Sequence, residues 1–241
     1  MDDTNAVAWG AIGINQQLSN RWSVTVYAGA ARESDPDNVK PLTKQAIFVV
    51  NQETQYKFNA HWQLLLGLSF RSQERYQEQA PYEPQHPAFR DEARYYLRLY
   101  YRHNVGKVAM IYSLRPEYRS FYNTRWHTWD KTPLELRFRL KVQAAIPLNE
   151  LKSNQFIVGN ELLSATDYER GVDRSLHWSH YAFTEDRFTT YFRHIFKKPS
   201  LIVDLGLMHQ VKFDNGERDY IAHLAFDVLF LNPFGTKKVS R

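Results

Sequence analysis

Leu134-Glu135-Leu136-Arg137-Phe138-Arg139-Leu140-Lys141-Val142-Gln143 decides the fold class of this chain. Leu134, Leu136, Phe138, Leu140 and Val142 fall on one parity, and Glu135, Arg137, Arg139, Lys141 and Gln143 on the other. A helix would scatter those charges around its circumference, whereas a strand sorts them onto two faces. The segment is a strand with one apolar side and one charged side.

The same alternation spreads outward from it. Trp62, Leu64, Leu66, Leu68 and Phe70 interleave with Gln63, Gly67, Ser69, Arg71 and Gln73. Tyr95, Leu97, Leu99 and Tyr101 interleave with Arg94, Tyr96, Arg98, Tyr100 and Arg102, and the period recurs over 201–210 and 222–230. Looser strands are expected near 6–17, 22–32, 45–57, 107–119, 154–164 and 184–195. Eleven spans of roughly 10–13 residues result, longer than the modal globular strand of about 5–6.

Connections alternate in length. Short turns are read at 18–21, 59–61, 103–106, 147–153 and 196–199. Longer polar links are read at 33–44, 76–89, 120–132 and 165–183, with a shorter one at 213–218. Tight turns at one end and long loops at the other fit an outer-membrane barrel, as do Trp22, Trp62 and Tyr101 beside the short turns. Such barrels carry an even number of strands, so a twelfth strand or a false one among the eleven is expected. Pro116 is expected at a bulge or at the outer end of its span, because a closed barrel has no edge strand to host it.

Composition agrees. Aromatic residues make up 15% of the 241 residues, and no stretch approaches the roughly 18 consecutive apolar residues of a membrane helix. The absence of cysteine removes disulfides, zinc–thiolate sites and cysteine nucleophiles. The net charge of +5 is interleaved with acidic residues and not gathered in a basic run, so nucleic acid is not an expected partner. Met1-Asp2-Asp3-Thr4 has no signal-peptide character, and an exported chain with its leader removed is expected.

Leu136-Arg137-Phe138-Arg139-Leu140 running into Pro147-Leu148, with Asn160-Glu161-Leu162 and Asp186-Arg187-Phe188, resembles the envelope proteins called domain of unknown function 2490. The likeness extends loosely from Trp9 to the C-terminal strand. It implies an exported outer-membrane β-barrel with no assigned activity, and no catalytic residue can be carried over.

The polar faces are rich in ions. Arg71, Arg94, Arg98, Arg102, Arg115, Arg137, Arg139, Lys141, Arg187 and Arg193 are expected to point into the lumen. Glu53, Glu92, Glu117, Glu135, Glu161, Asp204 and Asp227 are expected to face them. Near-balance of the two signs is what a plugged lumen requires, since a buried charge without a partner is costly. The competing expectation is a narrow pore whose arginines favour anions.

His177-Trp178-Ser179 puts His and Ser on one strand face, the pattern of a nucleophilic serine with a histidine base in a lipid hydrolase. His180 follows where that motif has asparagine, and no oxyanion hole is apparent. His177 and His180 have a spacing that metals use, but no third ligand is implied. No phosphate-cradling glycine loop exists, and no metal or cofactor is expected. The proline-stiffened stretch from Pro81 to Pro87 is expected as an exposed loop.

The expected whole is one domain over residues 1–241, an antiparallel up-and-down transmembrane β-barrel of 10–12 strands in a bacterial outer membrane. Its expected partners are membrane lipid, with small anionic solutes or other envelope proteins. A non-enzymatic structural or narrow transport barrel leads. A lipid hydrolase using His177 and Ser179, and a soluble barrel holding an apolar ligand, are the alternatives.

Overall fold

The computed structural model describes residues 4–35, 40, 42–77, 79–123, 126–170, 175–214 and 217–235. Its strands are β1 (Thr4–Gln17), β2 (Trp22–Glu33), β3 (Lys44–Lys57), β4 (Trp62–Tyr76), β5 (Pro84–Val105), β6 (Val108–Asn123), β7 (Thr128–Pro147), β8 (Asn154–Arg170), β9 (Leu176–Trp178), β10 (Ala182–Phe196), β11 (Leu201–Asp214) and β12 (Glu217–Leu231). β9 is a three-residue flap paired only to the end of β8. The other eleven form one closed barrel, because β10 pairs with β8 and β12 pairs with β1.

The eleven strands read from the alternation are the eleven that close. The expectation of an even number fails, and with it a wholly antiparallel barrel. Each strand runs against its predecessor, so an odd count leaves the first and last pointing the same way. The seam is therefore parallel, with β1 beside β12 from Thr4↔Tyr220 to Asn15↔Leu231.

The strands reach well into the expected long links. β5 begins at Pro84 and β7 at Thr128, so β5 reaches 22 residues and β7 reaches 20. Polar, proline-bearing stretches looked like loops, but the ladder β4–β5–β6–β7 continues through them past the rest of the rim. Arg75 and Arg90 both ion-pair with Asp130 there. Pro84 and Pro87 thus lie at the start of a strand, where a missing N–H costs little. The link 33–44 stays long, 165–183 is shortened by β8 reaching Arg170 and carries β9, and part of each lies outside the described residues.

Pro116 sits neither at a bulge nor at a strand end. The β5–β6 register is unchanged on either side of it, Tyr96↔Glu117 and then Leu99↔Leu114, with the pairs between them left out of the ladder. A residue without an N–H is absorbed as a gap in one ladder, while Pro116↔Phe138 holds on the other side.

Short turns are closed by local chemistry. The Asn59 side-chain oxygen accepts from the His61 and Trp62 amides at 2.8 and 2.9 Å, and Ser19 Oγ accepts from the Trp22 amide at 3.1 Å. Gly106 takes φ +58° at the turn into β6.

The barrel is inside-out relative to a water-soluble core. On the outer parity Leu66, Phe70, Leu207 and Phe226 are 54, 52, 61 and 50% exposed, while inward Glu92, Glu117, Arg119 and Arg139 are 3, 3, 6 and 7% exposed. Inward tyrosines fill space left by glycines across the ladder: Tyr96 lies opposite Gly67, and Tyr191 opposite Gly206. A Cβ on Gly67 would stand 2.1 Å from the Tyr96 ring, and one on Gly206 2.0 Å from the Tyr191 ring. Both rings are held by the wall behind them. Gly206→Val is expected to cost about 1–3 kcal/mol by overpacking, and Gly206→Val with Tyr191→Ala to recover part of it, read from denaturant midpoints in detergent.

Candidate functional site

The candidate site is the lumen face of β5 to β10, where the ion pairs gather. Along each strand, residues two apart share the inward face, so Glu92/Arg94, Arg115/Glu117/Arg119, Glu135/Arg137/Arg139 and Glu185/Arg187 set carboxylates and guanidiniums side by side on one face. Cross-strand register sets Arg94 directly opposite Arg119, and Arg115 directly opposite Arg139. Like charges in those positions repel. A carboxylate two residues along holds each pair, Glu92 the first and Glu117 the second.

The outcome is an unbroken alternating circuit. Arg94 Nε lies 2.7 Å from Glu92 Oε1, and Arg119 grips both Glu92 oxygens at 2.7 and 2.8 Å. Arg119 also reaches Glu135, whose Oε1 lies 2.7 Å from Arg137 Nε. Arg137 continues to Glu185 at 3.4 Å, Glu185 pairs with Arg187, and Arg187 reaches Glu161 at 3.7 Å. Glu161 meets Arg139 at 3.6 Å, Arg139 meets Glu117 at 3.0 Å, and Glu117 returns to Arg94 at 3.9 Å. Arg115 joins as a branch, 2.5 Å from Glu117, with its guanidinium 3.7 Å over the Tyr96 ring. Every glutamate in the circuit touches at least two arginines, so none of its charges is buried alone.

The remaining predicted lumen residues sit around this circuit. Glu53 accepts from the Tyr96 hydroxyl at 2.5 Å and lies 3.9 Å from Arg98, which donates to Tyr100 at 2.6 Å. Arg193 and Asp204 form a bidentate pair at 2.7 Å across β10 and β11. Asp227 accepts from the Trp9 indole at 3.0 Å. Arg102 lies over the Tyr100 ring at 5.3 Å, and Lys141 is the register partner of Glu161. Arg71 is bonded to Gln73 at 3.0 Å.

Residues 6–221 match the family described as Protein of unknown function (DUF2490). The chain belongs to the DUF2490 family. No curated protein matches it. The span matched takes in all the strands of this DUF2490 barrel that carry the circuit.

Arg119 and Glu185, two of its members, were not among the residues singled out from the sequence. Arg119 closes the run Arg115, Glu117, Arg119 on one parity, but the expected strand stopped there. Glu185 stands just after a register shift at Phe183/Glu185 in the β8–β10 ladder. Parity could have found both, since Glu185 shares its face with Arg187 and Arg193 inside the expected strand.

His177 and Ser179 lie at and beside the β9 flap. Ser179 Oγ accepts from the Asp167 amide at 2.9 Å, the Ser179 amide donates back to the Asp167 carbonyl at 2.7 Å, and Thr166 Oγ1 donates to the Ser179 carbonyl at 2.8 Å. Among the described residues, no hydrogen bond joins Ser179 to His177, and no group of three His, Cys, Asp or Glu could hold a metal. Ser179 here fastens the flap to β8.

The circuit should be the most mutation-sensitive part of the DUF2490 barrel. Glu117→Gln leaves Arg115 and Arg139 facing each other and is expected to cost about 3–5 kcal/mol. Asp204→Asn removes an equally short pair, but Arg193 stays 32% exposed and the loss is expected below about 1 kcal/mol. Urea midpoints of the two variants in the same detergent compare them directly.

Proposed function

We propose that this chain is a membrane-spanning β-barrel of a bacterial outer membrane with a sealed, charge-filled lumen, acting as a structural envelope component and not as an open pore. The observation that carries the reading is the reversal of polarity. The outer surface of the strands is mostly Leu, Phe, Val, Ile and aromatic rings, and the interior is dominated by Arg, Glu and other polar residues. Water around such a wall would face a contiguous apolar surface far larger than the few hundred Å² that soluble monomers expose. Hydrocarbon around it removes that cost. A soluble barrel holding an apolar ligand would need the opposite arrangement.

Two aromatic groupings support the same placement. At the short-turn end Trp22 meets Tyr56 at 4.7 Å and Trp62 meets Tyr101 at 4.8 Å. At the other end Tyr122 meets Trp129 at 4.5 Å, Tyr168 meets Trp178 at 5.0 Å, and Phe70 meets Trp126 at 6.1 Å. From Trp62 to Phe70 along β4 is about 27 Å of strand, or roughly 20 Å of height at a tilt of about 40°, near the usual apolar band of about 25 Å.

Two lumen cavities formed by the described residues share no lining residue. One of about 220 Å³ opens toward the short turns among Arg98, Tyr100, Arg115, Arg139, Lys141 and Glu161. The other, about 460 Å³, lies toward the long connections. Between them stand Glu117, Arg94 and the Tyr96 ring. This barrier favours sealing. The cationic lining of the smaller cavity is the feature that would favour a narrow anion pathway instead.

Reconstituted into planar bilayers, the protein is expected to give no steady conductance, and Glu117→Ala with Arg94→Ala to open one. A steady anion-selective current from the unmutated protein, lost on Arg137→Ala, would replace the sealed reading with the pore. Quenching of tryptophan emission by lipids brominated on the acyl chain is expected, and protein that stays in solution without detergent would end the membrane reading.

A further inference from the structure

We propose that the larger lumen cavity is a binding site for a small amphiphilic anion, a carboxylate on a compact apolar body. Its volume, about 460 Å³, falls within the roughly 300–1,000 Å³ of small-molecule sites. Its walls are segregated in a way that the charged circuit does not require. On the β12–β1–β2–β3 arc lies an apolar patch of Val7, Ala31, Ala46 and Ile221, packed with Trp9 and Ile47, with Glu33, His223 and Asp227 beside it. The opposite arc presents Arg119, Arg137 and Arg187. A solute that is apolar on one side and negative on the other matches both walls at once, and neither a simple ion nor a neutral hydrocarbon does.

Arg71 supplies the specific contact. It lies on β4, with Val49 of the apolar arc opposite it on one side and Glu92 of the charged arc on the other. Both Glu92 oxygens are already engaged by Arg119, and Oε1 by Arg94 as well. Among the described residues Arg71 has no ion pair, its only hydrogen bond goes to Gln73, and its buried Nε has no partner. A guanidinium held this way in a confined space is completed by an anion. The wall as a whole is also cationic, with six Lys and Arg against the carboxylates of Glu33, Glu135, Glu185 and Asp227. Asp227 takes the Trp9 indole, and Glu135 and Glu185 belong to the circuit.

The inference deepens the sealed-barrel reading, since a closed lower end makes this chamber a pocket, but it does not depend on the bilayer. Trp9 lines the chamber and reports on its contents. The protein, first shown to be a folded barrel by heat-modifiable gel mobility, is titrated in detergent with 4-bromobenzoate and with the neutral isostere 4-bromobenzamide, following heavy-atom quenching of indole emission. Trp9→Phe supplies the background from the outer tryptophans. Saturable quenching by the carboxylate, absent in Trp9→Phe, is expected. Its apparent affinity should fall at least tenfold in Arg71→Gln and recover substantially in Arg71→Lys, both checked for the same mobility. If Arg71→Gln does not fold, the comparison of carboxylate with amide decides alone. Folded protein that shows no saturable quenching, or that binds the amide as well as the carboxylate, overturns the proposal. Failure to enter bilayers, with the titration intact, overturns the membrane reading and leaves this one standing.

Discussion

A carboxylate held between two guanidiniums is the unit on which the interior rests. An arginine cannot discharge itself, and inside a narrow barrel it cannot reach bulk water. Register brings Arg94 against Arg119 and Arg115 against Arg139, arrangements that would push the sheet apart without Glu92 and Glu117 between them. The circuit of alternating charges follows from repeating that solution from β5 round to β10. Because the charges are satisfied inside, the outer face is free to be mostly apolar, with Asn160 and Asp186 bonded to each other on it.

Closure imposes the second constraint. Eleven strands in up-and-down order leave β1 and β12 codirectional, so the seam must be parallel. The strands flanking that seam carry little inward charge, and small or apolar residues face the lumen there. The barrel is thereby two-sided within, an ionic arc facing an apolar one. Tyrosines laid over Gly67 and Gly206 narrow the lumen, and Glu117, Arg94 and Tyr96 separate its two cavities. The same segregation that makes the upper chamber a candidate pocket makes the lower one a cationic vestibule.

Much of this was legible in the chain. Where one parity is ionic and the other apolar, as from Leu134 to Gln143, strand identity and facing follow from period two without any partner. That covers β4, β5, β7 and the positions of most circuit residues. Legibility failed where a strand is polar on both sides, as at 84–89 and 128–132, since ladder hydrogen bonds from neighbours and not side-chain pattern keep those residues extended. At β1 the strand was legible but its facing was not, because Val7, Trp9 and Ala11 face in while Ala8, Ile12 and Ile14 face out, and both faces are apolar.

The sequence by itself determined that the chain is all β, that it has eleven long strands, and which residues share a face, because side-chain direction in a strand depends only on parity. The tertiary structure alone decided which glutamate meets which arginine, that the seam is parallel, and that among the described residues Arg71 is left without a carboxylate. Those depend on register and closure, which relate residues far apart in the chain and leave no trace in local periodicity.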